Sequence, residues 1–167
     1  MMKKILFAAL LMLAPFTLMA QKFGHFNAQE LMEALPETAT MRTELETLAQ
    51  QYEADQKRME EELQKKSDDF QKEQANLLPN VRERREKELQ ELYKRYQQSV
   101  ADNQQAFQKA QMEKIQAIQE KVINAVKKVG DEGGYVYIMD TSSGAVPFIS
   151  TKLSTDVTPD LKKALGL

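Results

Sequence analysis

The chain of 167 residues has no cysteine and no tryptophan, and it has one histidine, His25. Without cysteine it forms no disulfide, no thiolate metal site and no lipid-modified cysteine anchor, so its shape depends on packing alone. The sequence also lacks the Gly-x-x-x-x-Gly-Lys loop that cradles nucleotide phosphates. These absences leave few groups from which a catalytic pocket could be built.

The abundant carboxylates do not fill that gap. Most Asp and Glu residues have Lys or Arg three or four positions away, which is typical of a solvated helix face. The acidic runs at 60–62 and 68–69 spread around a helix and offer no convergent ligands for a metal ion. His25 lies two residues from Phe23, so both point to one face of an extended segment, and we interpret its role as structural. We predict no catalytic residue, no cofactor and no metal, and a protein that is not an enzyme.

Glycine and proline are nearly excluded from the middle of the chain. No glycine occurs between Gly24 and Gly130, and past Pro36 the only proline in that interval is Pro79. A stretch so rich in Glu, Gln, Lys, Arg and Ala predicts sustained helix. Its apolar residues recur mostly every three, four or seven positions, which is typical of a coiled-coil stripe that must lie against a second helix. The stripe comprises Met41, Leu45, Leu48, Tyr52, Met59, Leu63, Phe70 and Leu77, then Leu89, Leu92, Tyr93, Tyr96, Val100, Phe107, Ile115, Ile118, Val122, Val126 and Val129.

Pro79 decides between a long rod and a hairpin. Proline pushes the preceding Leu78 out of helical geometry, and an interior proline costs a helix about 3 kcal/mol. Asn80 and Glu83 have the spacing of a capping box, which favours a new helix near Asn80 after one that ends near Asn76. A kinked but continuous rod is the alternative.

Strand-like segments near both ends of the chain favour the hairpin. Residues 22–27 (KFGHFN) precede a helix start at Asn27, while residues 135–140 (YVYIMD) and 146–150 (VPFIS) are strand-like runs joined by a turn-rich segment. A lone pair of strands is marginal in water, so these strands need partners. A straight rod would hold the two groups about 135 Å apart, whereas a hairpin brings them together.

We therefore predict a mainly α fold with a small β-containing body. Long antiparallel coiled-coil arms cover residues 41–129 and turn near 77–80, and the body is formed by residues 21–40 and 130–167. A short final helix is expected to start with Thr158 as its cap.

The first twenty residues have the layout of a secretory signal. Lys3 and Lys4 precede an apolar run, and Ala20 is the small residue at the cut. The run is too short for a membrane span and contains Pro15. Removing Lys3 and Lys4 makes the net charge more negative than the −2 of the whole chain, which argues against nucleic acid as a partner. We predict export with cleavage near Ala20.

Two features near the turn are candidates for contacts with other molecules. Leu77, Leu78 and Val81 lie where a hairpin has least core to bury them, so they form either a surface for other proteins or a hydrophobic cap that closes the turn. The basic cluster at 82–87 (RERREK) either makes peripheral contact with acidic membrane head groups or a partner, or is solvated helix surface. A structural coiled-coil spacer of the cell envelope, the alternative function, would need no exposed apolar surface.

Residues 22–166 as a whole resemble the Skp/OmpH family of periplasmic chaperones. The likeness is carried by KFGHFNAQELMEALPE at 22–37, by the helical hairpin, by VKKVGDEGGYVYIMDTSSGAVPFIS at 126–150 and by DVTPDLKKAL at 156–165. Well-known members are strongly basic, whereas this chain is acidic, which is a departure from the family pattern.

The resemblance implies a periplasmic homotrimer whose short strands build a central body and whose arms enclose unfolded outer-membrane proteins without ATP. It implies that the residues of the body and oligomer are Phe23, Phe26, Tyr135, Tyr137 and Ile138. The client-binding residues that we predict on the arms are Leu77, Leu78, Val81, Phe70, Tyr93 and Tyr96. Many weak contacts on flexible arms can hold a client through effective concentration while each contact stays easy to release.

Overall fold

The computed structural model describes residues 21–167, and the predicted signal at 1–20 lies outside them. The described chain is mainly helical with a small three-stranded sheet, as the sequence predicts. Its elements are β1 (Lys22–Phe26), α1 (Ala28–Ala34), α2 (Pro36–Glu73), a 3₁₀ turn (Gln74–Asn76), α3 (Pro79–Gly133), β2 (Tyr135–Asp140), β3 (Ser154–Asp156) and α4 (Thr158–Leu165).

Helices α2 and α3 form the predicted antiparallel hairpin. They contain 38 and 55 residues, which corresponds to about 57 and 82 Å. The chain reverses at Leu77 and Leu78, which both have extended backbone. Both helices reach further toward the body than the predicted arm residues 41–129.

The capping box predicted at Asn80 and Glu83 is wrong. Helix α3 begins at Pro79, which makes Leu78 the N-cap, and no side chain caps the helix there. Proline suits the first helical position because its missing N–H would have no partner there, and it forces the preceding residue into extended geometry. Asn80 therefore already lies in the first turn.

The cap predicted at Thr158 is also wrong. Thr158 is the first residue of α4, and its N–H donates to the carboxylate of Asp156 at 2.9 Å. Hydrogen bonds from the hydroxyl and N–H of Thr158 lower the pKa of Asp156 below its ordinary value, against the opposing effect of burial.

The three strands of the sheet are all parallel, in the order β2-β1-β3. Parallel neighbours need a crossover connection, and the helical hairpin provides it between β1 and β2. The prediction of a strand at 146–150 is wrong, because these residues are irregular and the third strand is Ser154–Asp156. This strand is recognised by its pairing with Phe23, Gly24 and His25 of β1 and not by its own composition.

The hydrophobic core lies where α1, α4 and the base of α3 cover one face of the sheet. Leu31, Leu35, Val157 and Leu161 are fully buried there. The core also contains Phe26 of β1 and four residues at helical spacing on α3: Ile118, Val122, Ala125 and Val129. The core thus joins the start of the chain, its end and the returning arm.

Asp140 ties the end of β2 to the start of α1. Its carboxylate accepts hydrogen bonds from the N–H of Ala28 at 3.1 Å and from the N–H and hydroxyl of Ser142 at 2.8 and 2.7 Å. Burial acts to raise the pKa of Asp140, but these hydrogen bonds outweigh it and hold the pKa below its ordinary value of 3.8.

We expect Asp140→Ala to lower the free energy of unfolding by about 1 kcal/mol at pH 7, the usual effect of losing a capping side chain. Because the folded-state pKa is lowered, the stabilisation is fully present above the ordinary pKa of 3.8 and is lost as pH falls through the folded-state pKa. Urea denaturation at several pH values should show the two proteins converging only in acid. Asp102→Ala is the control, because Asp102 bonds only with Gln98 of the same helix. A difference that stays constant down to pH 2 would contradict the prediction.

Two glycines at the end of α3 provide a second stability test. A Cβ on Gly133 would collide with the ring of Tyr135, whereas one on Gly130 would make an ordinary contact with Ile138 at 3.5 Å. We expect Gly133→Ala to destabilise the protein by about 1–3 kcal/mol through overpacking. Gly130→Ala should stabilise it by up to about 1 kcal/mol because alanine favours helix. Equal effects of the two substitutions on thermal unfolding would contradict this reading.

Candidate interaction surfaces

The first candidate surface is the seam, the apolar stripe along which α2 and α3 meet. Every stripe residue of α2 from Met41 to Phe70 is half-buried. On α3, Leu92 is buried in the part of the arm nearer the turn, and the other fully buried stripe residues lie at the base, beginning at Ile118. Each arm packs against only one other helix, so the remaining sides of its apolar stripe are not covered. Apolar surface therefore remains accessible along the length of the arms.

Ion pairs fix the register of the two arms. Glu37 pairs with Lys121 and, one heptad further along α2, Glu44 pairs with Lys114 one heptad back along α3. The same relation holds at the far end, where Glu73 and Arg85 lie 2.7 Å apart. Solvent-exposed pairs add little stability individually. From one pair to the next, each step along α2 is matched by an equal step back along α3, so the hairpin keeps one register from base to tip.

The three apolar residues predicted to bind clients at the turn differ in exposure. Leu78 is 68% exposed, whereas Leu77 and Val81 are half-buried. The turn therefore combines a partly closed apolar cap with one projecting side chain. Leu77 and Val81 fit a cap that closes the turn, whereas Leu78 has the exposure that a surface for other proteins would need.

Phe70 lies in a separate cleft near the tip. The cleft has a volume of about 350 Å³, and its apolar part is formed by Phe70 and Leu89. Charged residues of both arms surround these two side chains: Lys66, Asp69, Arg84, Arg85 and Glu88. An apolar floor with a charged rim can take up a side chain of an extended peptide.

The two tyrosines predicted to bind clients lie further along α3. Tyr96 is half-buried, and its hydroxyl accepts a hydrogen bond from Gln56 at 3.4 Å. Tyr93 is 51% exposed, so its placement in the stripe is wrong, because its neighbour Leu92 occupies the buried position. The six predicted residues are thus strung along the arm and do not form one pocket.

The second candidate surface is the outer face of the sheet, opposite the core. Phe23 of β1 stacks on Tyr137 of β2 with ring centroids 6.4 Å apart and planes 9° from parallel. Met139 lies on the same face beside His25, its partner in the strand register. Tyr137 is 61% exposed, and Phe23 and Met139 are also exposed. This outer face is therefore an apolar surface that no helix of the described chain covers.

The other predicted body residues lie on the core side. Phe26 is buried, and Ile138 and Tyr135 pack partly buried against the core. The ammonium group of Lys22 lies 5.6 Å from the centre of the Tyr135 ring, and it donates to the carbonyl of Gly133 at 3.1 Å. The five predicted residues thus divide between two faces of the sheet.

The loop between β2 and β3 presents apolar residues that the sequence reading missed. Phe148 and Leu153 are 80% and 79% exposed, the highest values among the large apolar side chains of the described residues. The sequence predicts the run at 146–150 as a strand, and Phe148 belongs to that run. An apolar run that has no neighbouring strand or helix to cover it stays exposed as a loop.

Within residues 21–167, no three acidic, histidine or cysteine side chains are grouped so that they could hold a metal ion. None of the helices described there has both the length and the apolar character needed to cross a bilayer.

The chain is similar in sequence to two known proteins and similar in fold to a solved structure. The chain is 26% identical over 164 residues to the chaperone protein Skp of Yersinia enterocolitica, covering 96% of this chain and 100% of Skp. It is also 26% identical to the chaperone protein Skp of Photorhabdus laumondii over 165 residues, again covering 96% of this chain and 100% of that protein. The crystal structure of an OmpH-like outer membrane chaperone from Caulobacter crescentus superposes with a TM-score of 0.73 at 14% identity, over 87% of this chain and 83% of the other. The model of the OmpH-like outer membrane protein family matches residues 22–165, and the chain therefore belongs to that family.

Proposed function

We propose that the protein is an ATP-independent holdase of the periplasm that binds unfolded outer-membrane proteins and prevents their aggregation. The two relatives named Skp are chaperones, and they match this chain over nearly its whole length. The observation that carries the proposal is the half-buried seam, which keeps apolar surface accessible along arms of about 57 Å or more.

The accessible seam can bind an unfolded client through many weak apolar contacts. An unfolded client offers scattered apolar side chains, and each can find a weak contact along the seam, at Leu78 or at Tyr93. Linked weak contacts add through effective concentration, so the client is retained overall while any one contact releases easily. The absence of a phosphate-binding loop from the sequence is consistent with release without fuel.

We also propose that the protein assembles as a homotrimer through its body. Sheets made only of parallel strands are ordinarily covered on both faces, whereas here Phe23, Tyr137 and Met139 leave the outer face apolar and exposed. In the described chain, β2 and β3 each have one edge without a neighbouring strand. Other copies of the chain can cover this face and these edges, which would set several arms around one space.

Export to the periplasm completes the proposal. The signal layout of residues 1–20, with cleavage near Ala20, would deliver the protein to the compartment that outer-membrane proteins cross.

The proposal predicts that the purified exported protein suppresses light scattering when a urea-unfolded outer-membrane β-barrel is diluted into buffer without ATP. Suppression should increase with the amount of protein and saturate. A soluble protein of similar size and charge is the control. Unchanged aggregation of the barrel at excess protein would contradict the holdase function.

Replacing Leu78 and Tyr93 together by serine separates a holdase from a structural spacer. Both side chains are exposed, so their loss should leave the fold intact, and serine at the N-cap position of Leu78 should stabilise α3 by about 0.5–1 kcal/mol. We expect the affinity for an unfolded barrel to fall about tenfold, because two apolar contacts are lost.

The matched control for this double variant is Gln90→Ser with Gln97→Ser, which changes two exposed polar residues of α3. Fluorescence anisotropy of a labelled client measures the affinity, and circular dichroism checks the fold. A spacer would show equal behaviour for both double variants, and that result would contradict the assignment of these residues to client binding.

A further inference from the structure

Histidine is the residue type whose charge ordinarily changes between pH 5 and 8. His25 is the only histidine in the sequence, which also has no cysteine. It lies on the outer face of the sheet, half-buried, in line with Phe23. Its Nδ1 atom is 2.9 Å from the hydroxyl oxygen of Ser154 on β3. The only histidine is therefore held in place on the surface that we propose for assembly.

The groups around His25 belong to β2, β3 and α4. Strand β2 contributes the uncharged Met139 as its register partner, with Tyr137 beside it. Strand β3 contributes Ser154 and the one acidic neighbour, Asp156, which is in register with His25. The charges of both His25 and Lys162 of helix α4 act on Asp156. The surroundings are thus apolar on one side, with a single carboxylate on the other.

We propose that His25 makes assembly sensitive to pH, so that copies of the chain associate when the imidazole is neutral and separate when it is protonated. The inference rests on the proposed assembly through the outer face. Protonation of His25 would then control how many copies associate, and so how many arms act together on one client.

The direction follows from desolvation. In a single copy, water can hydrate the imidazolium ion because the ring is half-buried. A second copy that covers Phe23, Tyr137 and Met139 removes this water. The free-energy cost of losing water is larger for a charged group than for a neutral one. The carboxylate of Asp156 attracts the imidazolium ion, but it also lies near the charge of Lys162 and accepts hydrogen bonds from Thr158, so it offsets only part of this cost. The covered face therefore favours the neutral ring.

Sedimentation velocity over a range of protein concentrations at pH 7.5 and 5.5, at constant ionic strength, tests the proposal. Because histidine side chains ordinarily gain a proton between these two pH values, an interface that favours the neutral ring should weaken by up to about tenfold per subunit. His25→Gln is the control because glutamine can still bond Ser154 but cannot become charged. Its assembly should be unaffected by the change of pH.

A second variant, His25→Phe, keeps the test decisive if the glutamine variant folds poorly. Its uncharged ring should give assembly at pH 5.5 at least as tight as that of the wild-type protein at pH 7.5. Wild-type assembly that is equally tight at both pH values, or an equal loss in the variants, would overturn the role of His25 while leaving the assembly intact. A protein that stays monomeric at both pH values and high concentration would overturn the assembly as well, and the scattering assay tests the holdase function separately.

Discussion

The reversal of the chain at Leu77 and Leu78 is the constraint on which the rest of the structure depends. Lys22 and Gly133 are 111 residues apart in sequence, yet the side chain of one donates to the carbonyl of the other at 3.1 Å. Bringing two segments so far apart in sequence together lowers the entropy of the chain. In a flexible chain, the pairing of one small sheet would not offset that loss. Two rigid helices in a fixed register bring the strands together, because the seam and the ion pairs between the arms share that cost along their length.

Much of the fold could be predicted from the sequence because its strongest signals are local. The scarcity of glycine and proline between Pro36 and Gly130 indicated the long helices, and Pro79 marked the reversal. The pairing of the strands was harder to predict. Strand β3 is three residues long, and it is defined by hydrogen bonds to β1 and not by β-forming residues. The apolar run at 146–150 had the stronger local signal but lacks a partner, so it forms part of a loop.

The candidate surfaces were predicted less completely, since exposure depends on neighbours that a single stripe of residues does not reveal. The period of the stripe could not separate Leu92 from Tyr93, and the structure buries the first and exposes the second. The outer face of the sheet was found in part through Phe23 and Tyr137. The exposure of Met139 was not predicted because a sequence does not say which face of a strand has a helix over it.

The central position of β1 has a consequence for the order in which the molecule is completed. The strand that emerges first from synthesis or export lies between the two that emerge last, so it has no neighbour until nearly the whole polypeptide is present. The arms, whose helical contacts are close in sequence, can form before that moment, whereas contacts between distant segments come slowly. The sheet is therefore completed last. A polypeptide truncated before Ser154 can form its helices but lacks β3, so one edge of β1 stays unpaired.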